Sequence, residues 1–194
     1  MMNGDDGIAS VRMARSIITQ EVTGKELPYT EPAYKERCGV FVTVNKYPSL
    51  DLRGCIGFPE PVYPLPEALE HAAVSACHDP RFRDLTEKEL DRIVVEVTIL
   101  TPPEPIAVRE RNDLLSRIEI GKHGLMIEYR GRRGVFLPQV PAEWGWDVLQ
   151  YLENLCMKAG VHKQAWKEKD CHILSFEGRM FKELSPGGDI TEVK

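Results

Sequence analysis

Apolar positions recur along this chain at helical spacing in some stretches and at every second residue in others, and the alternation predicts the order of the elements. Ile8, Val11, Ala14, Ile18 and Val22 fall on one side of a first helix, which Asp5 and Asp6 can cap and Gly24 stops. After a Pro-punctuated connection over 27–32, a β-rich run at 40–44 is broken by Tyr47-Pro48-Ser49 and resumes over 52–58, which predicts a hairpin. PLPEALEHAAVSACHD then reads as a helix, with Pro66 in its first turn, a narrow stripe of Leu69, Ala72, Ala73 and Ala76, and a stop at Asp79-Pro80. IVVEVTIL, 93–100, is the strongest strand signal, and TPPEP closes it.

The second half repeats that order. GLMIEYRGRRGVFLPQV predicts a hairpin with arms 124–129 and 134–140. PAEWGWDVLQYLENLCMKAG predicts one helix with Pro141 early, Trp144, Val148, Leu152 and Leu155 on one side and Gly160 as its stop, and 171–176 is a strand. GVFVTV with LRGCIG in the first half answers GLMIEY with RRGVFL in the second. An internal duplication is the economical reading, with a first repeat of about 38–100 and a second of about 123–182. The tail, SPGGDITEVK (185–194), has little to bury and is expected to be mobile. The whole of 1–194 is expected to be one α+β domain.

Composition narrows the setting. An apolar fraction of 42% and a charged fraction of 28% exclude global disorder, and a net charge of -5 argues against a dominant phosphate-binding surface. No apolar run approaches the roughly 20 residues that span a bilayer. MMNGDDGIAS lacks the apolar core of a secretory signal, so a cytoplasmic location is expected. The five cysteines, Cys38, Cys55, Cys77, Cys156 and Cys171, are odd in number and form no C-x-x-C pair. They read as free thiols with no structural zinc site and no resident metal. Walker, G-x-G-x-x-G, H-E-x-x-H and G-x-S-x-G motifs are absent.

One cysteine stands out. Alternate side chains of a strand share a face, so across 52–57 Leu52 and Ile56 mark the core while Asp51, Arg53 and Cys55 lie opposite. The thiol therefore falls beside an arginine and an aspartate, and its counterpart in the repeat is Val135. A neighbouring guanidinium favours the thiolate, which is the nucleophile and the soft metal ligand. Gly54 and Gly57 flank it without side chains, leaving room for close approach of a ligand. The alternative is a small buried filler, the usual role of free cysteine, and a β-bulge would change the face assignment.

A thiol nucleophile needs a base within reach. His71 and His78 share a helix face but lie two turns apart, about 10 Å along the axis, so they cannot hold one metal ion together. A solvated face accounts for both. Cys77-His78 and Cys171-His172 are adjacent pairs whose side chains diverge. His123, at the entrance to the second hairpin, is either a base or an exposed hairpin end. Glu96 shares a strand face with Thr98, as a general acid or base or as part of a solvated face. Asp79-Pro80-Arg81-Phe82 reads as a helix exit with a local ion pair. Gln139, Glu143 and Asp147 cluster near the second Pro-initiated helix, where its dipole favours acids in any case. Arg130, Arg132 and Arg133 lie in a hairpin turn without interleaved stacking aromatics, so nucleic-acid binding is not expected.

Leu52-Arg53-Gly54-Cys55-Ile56-Gly57 resembles the hallmark hexapeptide of the AMMECR-type family. The resemblance extends through Asp79-Pro80-Arg81-Phe82, VEVTILTPPEPI from Val95, His123-Gly124-Leu125, and Leu137-Pro138-Gln139-Val140 with Glu143 and Gly145-Trp146-Asp147, over about 8–184. It implies an α+β fold of two unequal lobes, in which two related strand-helix repeats build a curved, barrel-like mixed or antiparallel sheet with flanking helices. It brings no settled activity, but it associates prokaryotic relatives with Memo-type and radical-SAM proteins as partners. On the matching positions Arg53, Gly54, Cys55 and Gly57 would line a cleft. His123, Gln139 and Glu143 would face them, and Asp79 and Arg81 would support them. The expected function is a thiol-dependent enzyme or small-molecule binder, and neither the residues nor the resemblance names a cofactor. In it Cys55 is nucleophile or thiolate ligand, Arg53 its charge partner or anion clamp, and His123 the base. The alternative is an adaptor without catalysis, docking a partner through the RGCIG surface or through Trp144, Trp146 and the Pro-rich loops.

Overall fold

Two hairpins, each joined by a third strand that returns beside the first, organise the chain. In the computed structural model, which describes residues 2–193, the order is α1 (Gly4–Thr23), β1 (Val40–Lys46), β2 (Leu52–Phe58), α2 (Leu65–Cys77), β3 (Ile93–Leu100), β4 (Glu104–Pro105), α3 (Leu114–Arg117), β5 (Gly124–Tyr129), β6 (Arg132–Phe136), α4 (Gln139–Glu143), α5 (Val148–Lys158), β7 (His172–Phe176), β8 (Gly178–Glu183) and β9 (Ile190–Val193). Short 3-10 segments occupy Glu87–Arg92, Arg111–Asp113 and Ala165–Lys167. The chain divides into two unequal units, one running to Leu100 and resuming at Arg179, the other spanning Thr101–Gly178.

The first unit holds a five-stranded antiparallel sheet in the order β2-β1-β3-β8-β9. The period-2 pattern sends Val40, Val42 and Val44 of β1 and Val95, Val97 and Ile99 of β3 into the core, against apolar faces of α1 and α2. Asn3, not an aspartate, caps α1. Its side chain accepts the Asp6 N–H while the Asp6 carboxylate accepts the Asn3 N–H, and Gly24 ends the helix at φ 67°. The alanines of α2 let the helix lie close to β2. A Cβ on Gly54 would sit 2.5 Å from the Ala76 carbonyl oxygen, so only glycine allows this approach.

The second unit has a four-stranded antiparallel sheet, β4-β7-β5-β6, packed on α5 around Leu125, Ile127, Tyr151, Leu155 and Trp166. The second hairpin arm ends at Phe136 and does not run to Val140, because Pro138 starts a helical turn there. The single helix expected after Pro141 is two helices. Gly145 adopts φ 64° and breaks the path, and Asp147 restarts it by accepting the Gln150 N–H at 2.8 Å.

The expected barrel-like closure is a further change. The sheets are separate, and among the described residues no pairing closes either into a barrel. In the first unit the two helices cover the core face, and β2 and β9 remain edges. Within the tail, Ile190–Val193 pairs antiparallel with β8, from Met180↔Val193 to Glu183↔Ile190. The backbone ladder supplies what the sparse apolar side chains do not. Met1 and Lys194, included in the expected bounds of domain and tail, lie outside the described residues. No helix among the described residues is long and apolar enough to cross a membrane.

Candidate functional site

Cys55 lies in β2 on the face away from the helices. Its ladder partner in β1 is Thr43, whose partner in β3 is Glu96, so the three form one row across the sheet. The Thr43 hydroxyl donates to the Cys55 Sγ at 3.2 Å. Glu96 is half-buried, and burial pushes its carboxyl above the ordinary value, with Lys182 opposing the shift. Cys38, Cys77, Cys156 and Cys171 are buried, and Cys55 is not. Burial pushes Cys38 up to about 11 and Cys77 and Cys171 up to about 12, and Cys156 moves the same way, so these four remain thiols at neutral pH.

The backbone of Cys55 is held from both sides by the loop that leaves α2. Its N–H donates to the buried carboxylate of Asp79 at 2.9 Å, and its carbonyl accepts from Arg81 Nη2 at 3.2 Å. Asp79 also receives the Arg81 N–H and Nε at 3.0 Å and Nη2 at 2.7 Å. The Arg81 guanidinium, and then these backbone donors, hold the Asp79 carboxyl well below the usual carboxylate range. The side chain of Arg81 is 56% exposed, so a charged guanidinium stands at the surface against the Cys55 backbone carbonyl.

Arg53 does not play the part expected of it. Val44 pairs with Gly54 but Asn45 pairs with Leu52, so Arg53 is the extra residue of a β-bulge. The bulge reverses the predicted faces at this point, leaving Leu52 38% exposed and Arg53 buried. Its guanidinium makes a two-point pair with Glu89 at 2.7 and 3.3 Å, donates to the Asp84 carbonyl at 3.2 Å, and lies over Phe82. Arg53 therefore braces the surrounding loops, and the guanidinium placed at Cys55 is that of Arg81. Gly57 sits within the ladder opposite Phe41, where a Cβ would lie 2.1 Å from the Val40 carbonyl oxygen, so its role is strand packing.

His123, Gln139 and Glu143 belong to the second unit. His123 is half-buried. Its Nδ1 accepts the Glu119 N–H at 3.1 Å, which places the proton of the neutral ring on Nε2, and Nε2 lies 3.7 Å from Glu177. It borders a pocket of about 270 Å³ with Thr101, Glu104, Ser175 and Glu177. Gln139 and Glu143 are exposed on α4. Trp144, which follows α4, is 70% exposed and stacks on Trp146 with ring centres 6.0 Å apart. Among the described residues no group of three His, Cys, Asp or Glu side chains is placed to hold a metal ion.

Sequence reasoning missed two parts of this arrangement. Thr43 gave no signal until the register was known. His78, taken for a solvated helix residue, bridges Glu21 and Asp84.

These features define an α+β protein of two antiparallel sheets with one accessible, braced thiol. Comparison with known proteins adds the lineage. The AMMECR1 family model matches residues 11–181, and the chain belongs to that family. It is 48% identical over 194 residues to the protein MJ0810 of Methanocaldococcus jannaschii, covering 98% of this chain and 96% of that one. A protein of Aquifex aeolicus is 42% identical over 187 residues, with 94% and 95% covered. The crystal structure of the uncharacterized protein PH0010 from Pyrococcus horikoshii superposes with a TM-score of 0.76 at 41% identity, covering 99% of this chain and 98% of that one.

Proposed function

We propose that this chain is a thiol-centred enzyme or enzyme-like binder of a small molecule, with Cys55 as its reactive group. The observation that carries the reading is the bracing of Cys55: a buried carboxylate on its N–H and a surface guanidinium on its carbonyl. Packing alone does not require a buried charge at that point, and charges are costly to bury unless they are held. Within the first unit Thr43 orients the sulfur and Arg81 anchors an anionic group of the substrate. Glu96, a carboxyl biased toward its protonated form, serves as the proton source two strands away. In the second unit, His123 and Glu177, 3.7 Å apart, form a separate candidate acid–base pair.

Alkylation of the native protein by iodoacetamide at neutral pH, read cysteine by cysteine by mass spectrometry, tests this. Cys55 should react well ahead of Cys38, Cys77, Cys156 and Cys171, and Thr43→Val should slow it. A Cys55 no faster than the four buried thiols would overturn the reading.

The adaptor alternative rests on the exposed Trp144, with Leu149 also open to solvent on the following helix. A pull-down with the Memo-type or radical-SAM protein should separate the two. Loss of capture on Trp144→Ala but not on Cys55→Ala favours the adaptor; the reverse favours the thiol site.

A further inference from the structure

His78, the residue that ends α2, stands between two carboxylates. Its Nε2 is 2.9 Å from Glu21 of α1 and its Nδ1 is 3.1 Å from Asp84 of its own loop. An imidazolium donates at both nitrogens. A neutral ring donates at one and turns a lone pair toward the other carboxylate. The charged groups acting on the ring are these two acids, with Glu21 the larger influence, and together they raise its pKa above the ordinary histidine value. Lys25, just past α1, is engaged with Glu87 at 3.8 Å, and the neighbouring Cys77 stays a thiol, pushed up to about 12 by burial.

The loop that His78 ties down is the loop that holds Cys55. Asp79, the next residue, accepts the Cys55 N–H. At the far end, the carbonyl of Asp84 accepts from Arg53 on β2, while its carboxylate meets His78. Bridging Glu21 and Asp84 at once fixes both ends of the 78–84 loop, one against α1 and one against the loop itself.

We propose that His78 is a positioning residue: protonated, it holds the 78–84 loop and its Asp79–Arg81 clamp on Cys55, and neutral, it releases one of its two bridges and loosens that clamp. The consequence for reactivity rests on the reading of Cys55 as the reactive centre; the structural consequence does not.

The test is the hydrogen-exchange protection of the residue-55 amide, measured by NMR across pH 5–9 on the intact chain, in the wild type and in Cys55→Ser. Protection, corrected for intrinsic exchange, should fall roughly two- to fivefold as pH rises through the His78 titration, the scale of one partly exposed ion pair. His78→Gln should abolish the step while leaving the remaining amide spectrum native. Glu21→Gln should keep the step but move it to lower pH, which a merely structural histidine would not do. A wild type without a step, or a step that persists in His78→Gln, would overturn the proposal. If alkylation shows Cys55 inert while the amide step is present, the thiol reading fails and the latch stands. If Cys55 is reactive and the step is absent, the reverse holds.

Discussion

The two units set a hairpin, a helix and a third strand in the same order, β2-β1-β3 in one and β6-β5-β7 in the other, yet their hairpins turn differently. The second closes through Arg130 and Gly131, both at positive φ, and its register runs without interruption from Leu125↔Phe136 to Tyr129↔Arg132. The first closes through a longer turn and carries the bulge at Arg53. One extra residue sends Arg53 inward to Glu89 and brings Cys55 up against the Asp79–Arg81 loop. In the second hairpin the arms stay regular, Arg132 and Arg133 are exposed, and Arg133 pairs with Glu128 at 2.7 Å. The shared framework supplies a platform, and the site is made by the departure from it.

The largest effect should come from the glycines that let each helix approach its hairpin. At Gly54 a Cβ would meet the Ala76 carbonyl oxygen at 2.5 Å, whereas at Gly134 it would meet Ala159 backbone and Cβ atoms at 3.0–3.2 Å. Gly54→Ala should destabilise by about 3 kcal/mol and Gly134→Ala by about 1 kcal/mol, since overpacking against rigid backbone relaxes poorly. Urea denaturation reads both, and equal costs would break the claim that the first hairpin is the more tightly built.

Asp79→Asn comes next and touches only the first unit. The folded-state carboxyl is depressed, chiefly by Arg81. Its stabilisation is therefore complete above the unfolded value of about 3.9 and is lost as pH falls through the folded value. The substitution should cost about 1–2 kcal/mol at neutral pH, discounted because Arg81 is half in solvent, and almost nothing in strong acid. Stability curves of wild type and variant should therefore converge on the acid side; parallel curves would mean that Asp79 acts through packing and not through charge.

Much of this frame was legible in the letters. The period-2 runs at 40–44 and 93–100 place the strands because one face is packed and the other is not, and Gly24 and Pro66 mark helix ends by backbone chemistry alone. Cys55 was found as a thiol off the core face. Its arginine was misassigned because a bulge leaves no trace in a strict alternation of faces. Thr43 and Glu96 became neighbours only through ladder register, and His78 met Glu21 only through the packing of two helices 57 positions apart in its bonding partners. The helix over 141–160 was read as continuous because Gly145 costs little in a sequence pattern, whereas its positive φ ends the helix outright. Long-range contacts between polar side chains carry no periodicity, and the site consists almost wholly of them.

The smallest stability change should give the sharpest comparison. Val135 is half-buried in the second arm of its hairpin, as Cys55 is in the first, so Val135→Cys places a thiol of similar access in the regular hairpin. It faces Met126 in place of Thr43 and has no counterpart of the Asp79–Arg81 loop. The substitution should shift stability by less than about 1 kcal/mol, because the two side chains are close in size and neither site is closed. Both thiols then sit in one molecule, each on the second strand of a hairpin, and differ in what surrounds them. If the bracing of Cys55 and the guanidinium beside it matter, Cys55 should be alkylated several-fold faster than the introduced thiol, and Arg81→Gln should bring the two rates together. Equal rates in the parent background would mean that access alone distinguishes Cys55 from the four buried cysteines, and that the bulge and the clamp shape the first hairpin for reasons of folding.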